Sequence, residues 1–387
     1  MSFSLYSSAG SAGSAGSAGS AGSAGSAGSA GSAGSAGSAG SAMTNHAGGP
    51  NNTLISSAVA LALEGVLPSA PSPIDAVTPV TSGPDALERM NPIFRRLIYL
   101  EHLNADVTVA GTPAPAPSDA TKTVSNGTVA LNGAAVFDLF GPVEGTVFDA
   151  QADAVIRAKD LRGDRLAEIV LQQSDVLSFY GGLLQLNGIS QPWALELLRS
   201  VLEAAMSVVA QIKYAVPVAR PIDLMRDAAP VIQTPQHSTM PSGHAAEGFA
   251  GAYVLSRLAG HSDADTLSEA NLFMRMATRI AENRTVAGVH FPMDSMAGAC
   301  LGITLGRIYA AKLGIAGLPA AAEGFSVDAT KFGNQDFTAP AFDTVVNTTA
   351  ATPSGLAWLT RTAPLTLPAA TDELKDLRSR AEKDLAL

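Results

Sequence analysis

Proline placement constrains this chain more than any other feature, because it fixes where helices can begin and end. The run from Trp193 to Tyr214 repeats apolar residues at helical spacing. Pro192 precedes it, after Ser190 and Gln191, at a first helical position where a missing N–H costs nothing. Pro217 must close it, since the residue before a proline is driven out of the helical region. Residues 216–241 are then a proline-punctuated loop. Further helices are predicted from about Gly243 to Leu258, from Leu267 to about Thr285 and from Pro292 to Leu313, with a charged helix over 372–385. Helix ends facing loops are where all-α bundles build their sites.

The rest of the chain is less constrained. Residues 8–40 are eleven uninterrupted Ser-Ala-Gly triplets, followed by Ser41, Ala42 and Met43. Such a repeat cannot bury a core and behaves as flexible coil. Residues 1–42 are read as an engineered tag and linker. About 345 residues remain, enough for one large domain or two packed ones. A short Ala-rich helix is expected over 53–66. A second spans 85–103, with Asp85 near its start and a kink at Pro92. Helical periodicity returns over 150–187, broken near Gly163. Residues 105–150 are rich in Thr, Val, Gly and Pro, which implies loops and one small hairpin turning at Asn126-Gly127. The Pro/Ala/Thr-rich tail from 317 to 370 should wrap the surface. The expected fold is an all-α helical bundle with a minor irregular or hairpin insert around 105–150. It divides into the 1–42 linker, a 43–190 N-terminal helical region, a 191–316 catalytic bundle and a 317–387 tail with its terminal helix.

Composition excludes several classes. The formal net charge is −10 and no basic stripe is present, which argues against nucleic acid. The single cysteine, Cys300, lies in an apolar run and allows neither an internal disulfide nor a cysteine metal site. The most apolar uncharged stretch, Ser295 to Gly306, is 12 residues long, against about 20 for a membrane span. A soluble, cytoplasmic protein with no membrane partner is expected.

Three segments concentrate chemistry. In Lys213-Tyr-Ala-Val-Pro-Val-Ala-Arg220-Pro221, a lysine on a last helical turn and an arginine on the following loop can converge on one anion. Arginine offers a planar donor fork and lysine a point charge. Pro241-Ser242-Gly243-His244 opens a helix, whose free N–H groups and dipole favour an anion. Ser242 adds a hydroxyl, Gly243 allows close backbone approach, and His244 can move a proton near neutral pH. In Arg284-Thr-Val-Ala-Gly-Val-His290-Phe-Pro-Met-Asp294, Arg284 ends a helix, Gly288 permits a turn, and Pro292 starts the next helix. His290 and Asp294 are four residues apart, so the carboxylate can reach the ring, fix its tautomer and sharpen its other nitrogen.

In order and spacing, these blocks resemble the superfamily that joins vanadium-dependent haloperoxidases to type 2 phosphatidic acid phosphatases and bacterial class A acid phosphatases. Its signature is Lys-x6-Arg-Pro, Pro-Ser-Gly-His and Ser-Arg-x5-His-x3-Asp. One position departs: Asn283 stands where the signature has serine, and is expected to donate a hydrogen bond in its place. The resemblance implies that Lys213, Arg220, Arg284, Ser242 and the Gly243 backbone hold the oxygens of vanadate or phosphate. It implies His290 as apical vanadium ligand or phosphorus nucleophile, His244 as general acid/base, and Asp294 as the group orienting His290.

One pocket can serve both chemistries, because His-bound vanadate mimics the trigonal bipyramid of phosphoryl transfer. The missing spans and the long region before Lys213 favour a haloperoxidase. So does His237, seven residues before His244, which resembles the bromoperoxidases and would tune the substrate chemistry. The expected reaction partners are hydrogen peroxide, halide (bromide favoured) and an organic acceptor, with a homodimer as the assembly. A soluble acid phosphatase working through a phosphohistidine is the alternative, and a non-catalytic oxyanion-binding bundle the third reading.

Overall fold

The computed structural model describes residues 83–116, 119–142, 145–319, 322–347 and 356–386. The 1–42 linker and the helix expected over 53–66 lie outside them. The chain divides into two units, Met1–Asn91 and Pro92–Leu387. In the first, the described residues form one short helix, α1 (Pro84–Glu88). The helix expected over 85–103 is therefore two helices. Pro92 does not kink one helix but begins another, as its fixed φ and missing N–H allow.

The second unit opens with α2 (Pro92–Asn104), then strands β1 (Val107–Ala116), β2 (Asp119–Leu131) and β3 (Ala134–Phe140). Helices α3 (Thr146–Ala158), α4 (Arg162–Gln172), α5 (Leu177–Leu184) and α6 (Pro192–Ala215) follow. The loop after α6 carries the short α7 (Pro221–Leu224). Then come α8 (Gly243–Leu258), α9 (Asp263–Thr266), α10 (Leu272–Val286) and α11 (Pro292–Lys312). The chain ends with β4 (Ala322–Asp328), α12 (Ala339–Asn347), β5 (Leu359–Leu365) and α13 (Asp372–Leu385). The architecture is largely helical, with a small mixed sheet, as expected.

At the centre is α11. All of its residues are buried, which is what a helix apolar on every face requires. It packs against α8 across Gly302, where an added Cβ would stand 2.5 Å from the Ala246 carbonyl oxygen and 2.9 Å from Phe249 Cβ. Only glycine allows this approach. Cys300 is buried within α11, and burial pushes its thiol up to about 12, so it behaves as a small apolar side chain.

The insert differs in two respects from the expectation. Its three strands join two from the tail in one five-stranded sheet in the order β1-β2-β3-β4-β5. The hairpin turn between β2 and β3 is at Asn132-Gly133, both with positive φ (51° and 81°). Asn126-Gly127 instead lies inside β2, paired with Thr112 and Gly111 on one side and Phe140 and Leu139 on the other. The two Asn-Gly pairs are locally equivalent; the flanking strand residues decide which one turns. The tail does more than wrap the surface. β4 pairs in parallel with β3 (Phe137 opposite Phe325, Leu139 opposite Val327), and β5 closes the edge of β4. The helical break expected near Gly163 falls slightly earlier, at a 3-10 turn over Lys159–Leu161. Gly127 of β2 faces Ile212 and Val216 at the end of α6, so the sheet seats the turn that carries Lys213.

Candidate active site

Four segments of different origin meet here: the end of α6, the loop 216–241 with the start of α8, the α10–α11 connection, and α4. Lys213 is buried on the last turn of α6. Its Nζ donates to the carbonyls of Ser238 (2.7 Å) and Thr239 (3.0 Å). Burial, reinforced by the charge of Arg220, lowers its pKa to about 7, against the opposing pull of Asp294 and Glu247. Arg220 is 2% exposed. It ties the loop to the α10–α11 connection: Nε donates to the His237 carbonyl (3.0 Å), NH1 to the Val289 carbonyl (2.9 Å) and NH2 to the Ser238 carbonyl (3.4 Å).

His290 and Asp294 are brought together as their spacing implies. Nδ1 of His290 lies 3.1 Å from Asp294 Oδ2 and 3.0 Å from Thr239 Oγ1. The Thr239 hydroxyl donates to the same Oδ2 at 2.5 Å, and the Phe291 amide donates to it at 2.8 Å. With its proton spent on Asp294, Thr239 offers His290 only a lone pair. Both neighbours of Nδ1 therefore accept, which places the ring proton on Nδ1 and leaves Nε2 with a lone pair. Burial and the charges of Lys213, Arg220, His244 and Arg284 hold His290 well below its ordinary pKa, so the ring is neutral. All these groups therefore act on one point. Asp294 is fully buried; burial raises its carboxyl to about 6, while Thr239, Phe291 and the two cations work the other way.

Ser242 caps α8 through its side chain, which accepts from the Ala245 amide at 3.5 Å, and its own amide donates to the Asp294 carbonyl at 2.8 Å. At Gly243 an added Cβ would stand in ordinary van der Waals contact with Glu247 Oε1 at 3.4 Å and Val209 Cγ1 at 3.8 Å. His244 is half-buried and its Nε2 lies 2.8 Å from the Gln172 carbonyl. A carbonyl can only accept, so Nε2 carries the hydrogen and Nδ1 the lone pair. Burial and the Arg284 charge hold its pKa down at about 3.

Arg284 is 1% exposed, and its NH2 donates to Gln172 Oε1 (3.0 Å) and to the Ile169 carbonyl (3.3 Å). Its Nε and NH1 have no partner among the described residues. Asn283 does donate hydrogen bonds, but to α4: to Glu168 Oε2 and Gln172 Oε1, both at 3.0 Å. Its Oδ1 accepts from Arg165 at 2.9 Å. Its amide is therefore committed and does not replace the signature serine at the ligand. His237 is exposed, with Nδ1 3.3 Å from Arg220 NH2 and 3.1 Å from the Ser238 carbonyl. The first contact needs a lone pair and the second a proton, so the two describe alternative tautomers.

Four contributors escape the motifs. Thr239 bridges His290 and Asp294. Gln151 of α3, fully buried, accepts from the Met293 amide (2.9 Å) beside Asp294 and donates to the Gly333 carbonyl (2.6 Å). Arg162 and Gln172 stand at the two ends of α4. Arg162 donates to the carbonyls of Val286, Ala228 and Ala229, each at 2.8 Å, and so holds the connection before His290. Hydroxyl and amide side chains at distant positions carry no local signal of such work.

The donor set suits a tetrahedral oxyanion: an unpaired guanidinium edge, a helix start, and one neutral ring nitrogen. No group of three or more His, Cys, Asp or Glu that could hold a metal cation occurs among the described residues. No helix among the described residues is long and apolar enough to cross a membrane. Residues 193–314 match the sequence model of the PAP2 superfamily, which covers all three motif blocks but not α4. A comparison with curated proteins gives no match.

Proposed function

We propose that this PAP2-superfamily domain is the core of a vanadate-dependent haloperoxidase that oxidises halide, with bromide favoured, using hydrogen peroxide. The observation that supports an oxyanion centre is the pairing of the unpartnered Nε and NH1 of Arg284 with the lone-pair nitrogen of His290. Buried donors without acceptors are costly, about 1–3 kcal/mol each, and an anion would relieve them. His237 beside Arg220 favours the peroxidase, since it gives the cation wall a second, titratable face where halide would approach.

When bound, vanadate would supply a Lewis-acid centre that activates peroxide towards halide. The chain's own residues do the rest. His290 Nε2 is the attachment atom, aimed by Asp294 and Thr239 at Nδ1. Lys213, Arg220 and Arg284 neutralise the oxygens, and the Ser242 hydroxyl and Gly243 amide add neutral donors. His244 Nδ1 takes the proton of incoming peroxide. Bromide is oxidised to hypobromous acid and peroxide reduced to water, with His244 returning its proton and one further proton drawn from solvent.

The family match also favours a second reading, phosphate-monoester hydrolysis. There His244 Nδ1 takes the proton of a monoanionic phosphate ester and passes it to the leaving alkoxide as His290 Nε2 attacks phosphorus, and water then cleaves the N–P bond. A paired assay decides between them. Dye bromination with vanadate, bromide and peroxide, abolished in His290→Ala, is the expected result. Release of p-nitrophenol from its phosphate without any bromination would overturn the peroxidase in favour of the phosphatase.

A further inference from the structure

The site has a donor that no motif supplies. Gln172 ends α4, outside the span of the family match, and is fully buried. Its Oε1 accepts from Arg284 NH2 and Asn283 Nδ2, both at 3.0 Å. Two N–H donors on one atom settle which end of the amide is oxygen, because the flipped amide would set donor against donor. The Nε2 end is then left without any acceptor among the described residues.

That orphaned amide is not isolated. It belongs to the same residue whose main-chain carbonyl receives His244 Nε2 at 2.8 Å. Its Oε1 is held by Arg284, whose Nε and NH1 are two further unpaired nitrogens. Three buried nitrogens that only donate, one on Gln172 and two on Arg284, thus belong to one hydrogen-bonded pair of side chains. A fold that simply packed Gln172 would leave the amide an acceptor or exclude it. A fold that receives an anion would leave it as it is.

We infer that Gln172 is a further ligand-binding residue of the oxyanion site, donating from Nε2 to an oxygen of bound phosphate or vanadate beside Arg284. The inference rests on the oxyanion reading proposed above, but not on which of the two reactions follows. In the ligand, the oxygen concerned is one that Arg284 also contacts. The amide adds a neutral donor from α4 to those of the motif elements. The sequence motifs all lie on the other elements.

The side-chain amide of Gln172 reports directly. In the full chain, labelled with nitrogen-15, its resonances are assigned by their loss in Gln172→Met. Titration with inorganic phosphate, and separately with vanadate, should move one amide proton downfield in the wild-type protein. Gln172→Met should weaken phosphate binding about tenfold to a hundredfold, as loss of a hydrogen bond to a charged group predicts. Gln172→Glu keeps the acceptor for Arg284 and Asn283 but puts a carboxylate where the donor was, and should weaken it further. Phosphate that binds the wild-type protein while the Gln172 amide stays unmoved would overturn the inference and leave the oxyanion reading intact. Failure of the wild-type protein to bind either anion would remove the oxyanion reading, and this inference with it. If Gln172→Met does not fold, the wild-type titration still decides, with the resonance assigned through Gln172→Glu.

Discussion

One oxygen of Asp294 receives Thr239, the Phe291 amide and His290. That convergence makes the carboxylate a bearing on which the imidazole is set. Asp294→Asn must present either an amide nitrogen or a single weaker acceptor at that point, and the His290 tautomer is then no longer fixed. Outer-shell changes of this kind cost about 10–100-fold in activity. The expected result is a fall in kcat of that size in whichever arm of the paired assay is positive, with a smaller fall in Thr239→Val. Unchanged kcat in both variants would show that His290 does not depend on them. At this scale the motif residues were legible because their chemistry is distinctive. Charged and imidazole side chains at fixed spacing have few structural excuses, and Lys213, Arg220, Arg284 and His244 do act together on His290. Thr239, Gln151 and Gln172 were not legible. Their side chains are common, and what makes them matter is a partner 55, 142 or 112 residues away.

Helix ends were the most readable elements, because prolines and caps act locally. Pro192 and Pro292 open α6 and α11, and Ser242 caps α8. The sheet was not readable: the one hairpin expected turns at Asn132-Gly133, and the expected Asn126-Gly127 lies inside β2. β4 lies almost two hundred residues after β3, and no local pattern announces a parallel partner so far away. The contact between α8 and α11 is equally silent in sequence, yet it sets the site, since Ser242 and Asp294 join the two helices through one 2.8 Å bond. Gly302→Val should therefore act at two levels. The added atoms collide with the Ala246 carbonyl and Phe249, an overpacking cost of about 1–3 kcal/mol. Thermal unfolding should shift down by several degrees, and phosphate affinity should fall although no ligand-contacting residue has changed. A variant with full phosphate affinity and an unaltered unfolding temperature would mean that the helices separate without disturbing the site.

Buried titratable groups at the site couple the stability of the whole molecule to pH and to anions. Lys213 holds its proton only to about 7 in the fold, against 10.5 for a free lysine. Between those values the unfolded chain binds a proton that the folded chain has released, so this residue makes stability rise with pH across that window. Asp294 works the other way lower down. Its carboxyl is raised from 3.8 to about 6, so its contribution falls as pH climbs through that interval. An oxyanion reverses the behaviour of Lys213, because the anion's charge favours the ammonium and keeps it protonated to higher pH. Sulfate is the cleanest probe, since it stays a dianion throughout. At a few millimolar it should raise the unfolding temperature most at or below about pH 7, with the gain shrinking as pH rises, because above that point binding must first return a proton to Lys213. In Lys213→Met the sulfate gain should be small and nearly flat with pH, and the unliganded protein should lose the rise in stability above pH 7. Equal pH slopes in the two proteins, with and without sulfate, would place the titrating cation elsewhere and remove Lys213 from the anion's contacts.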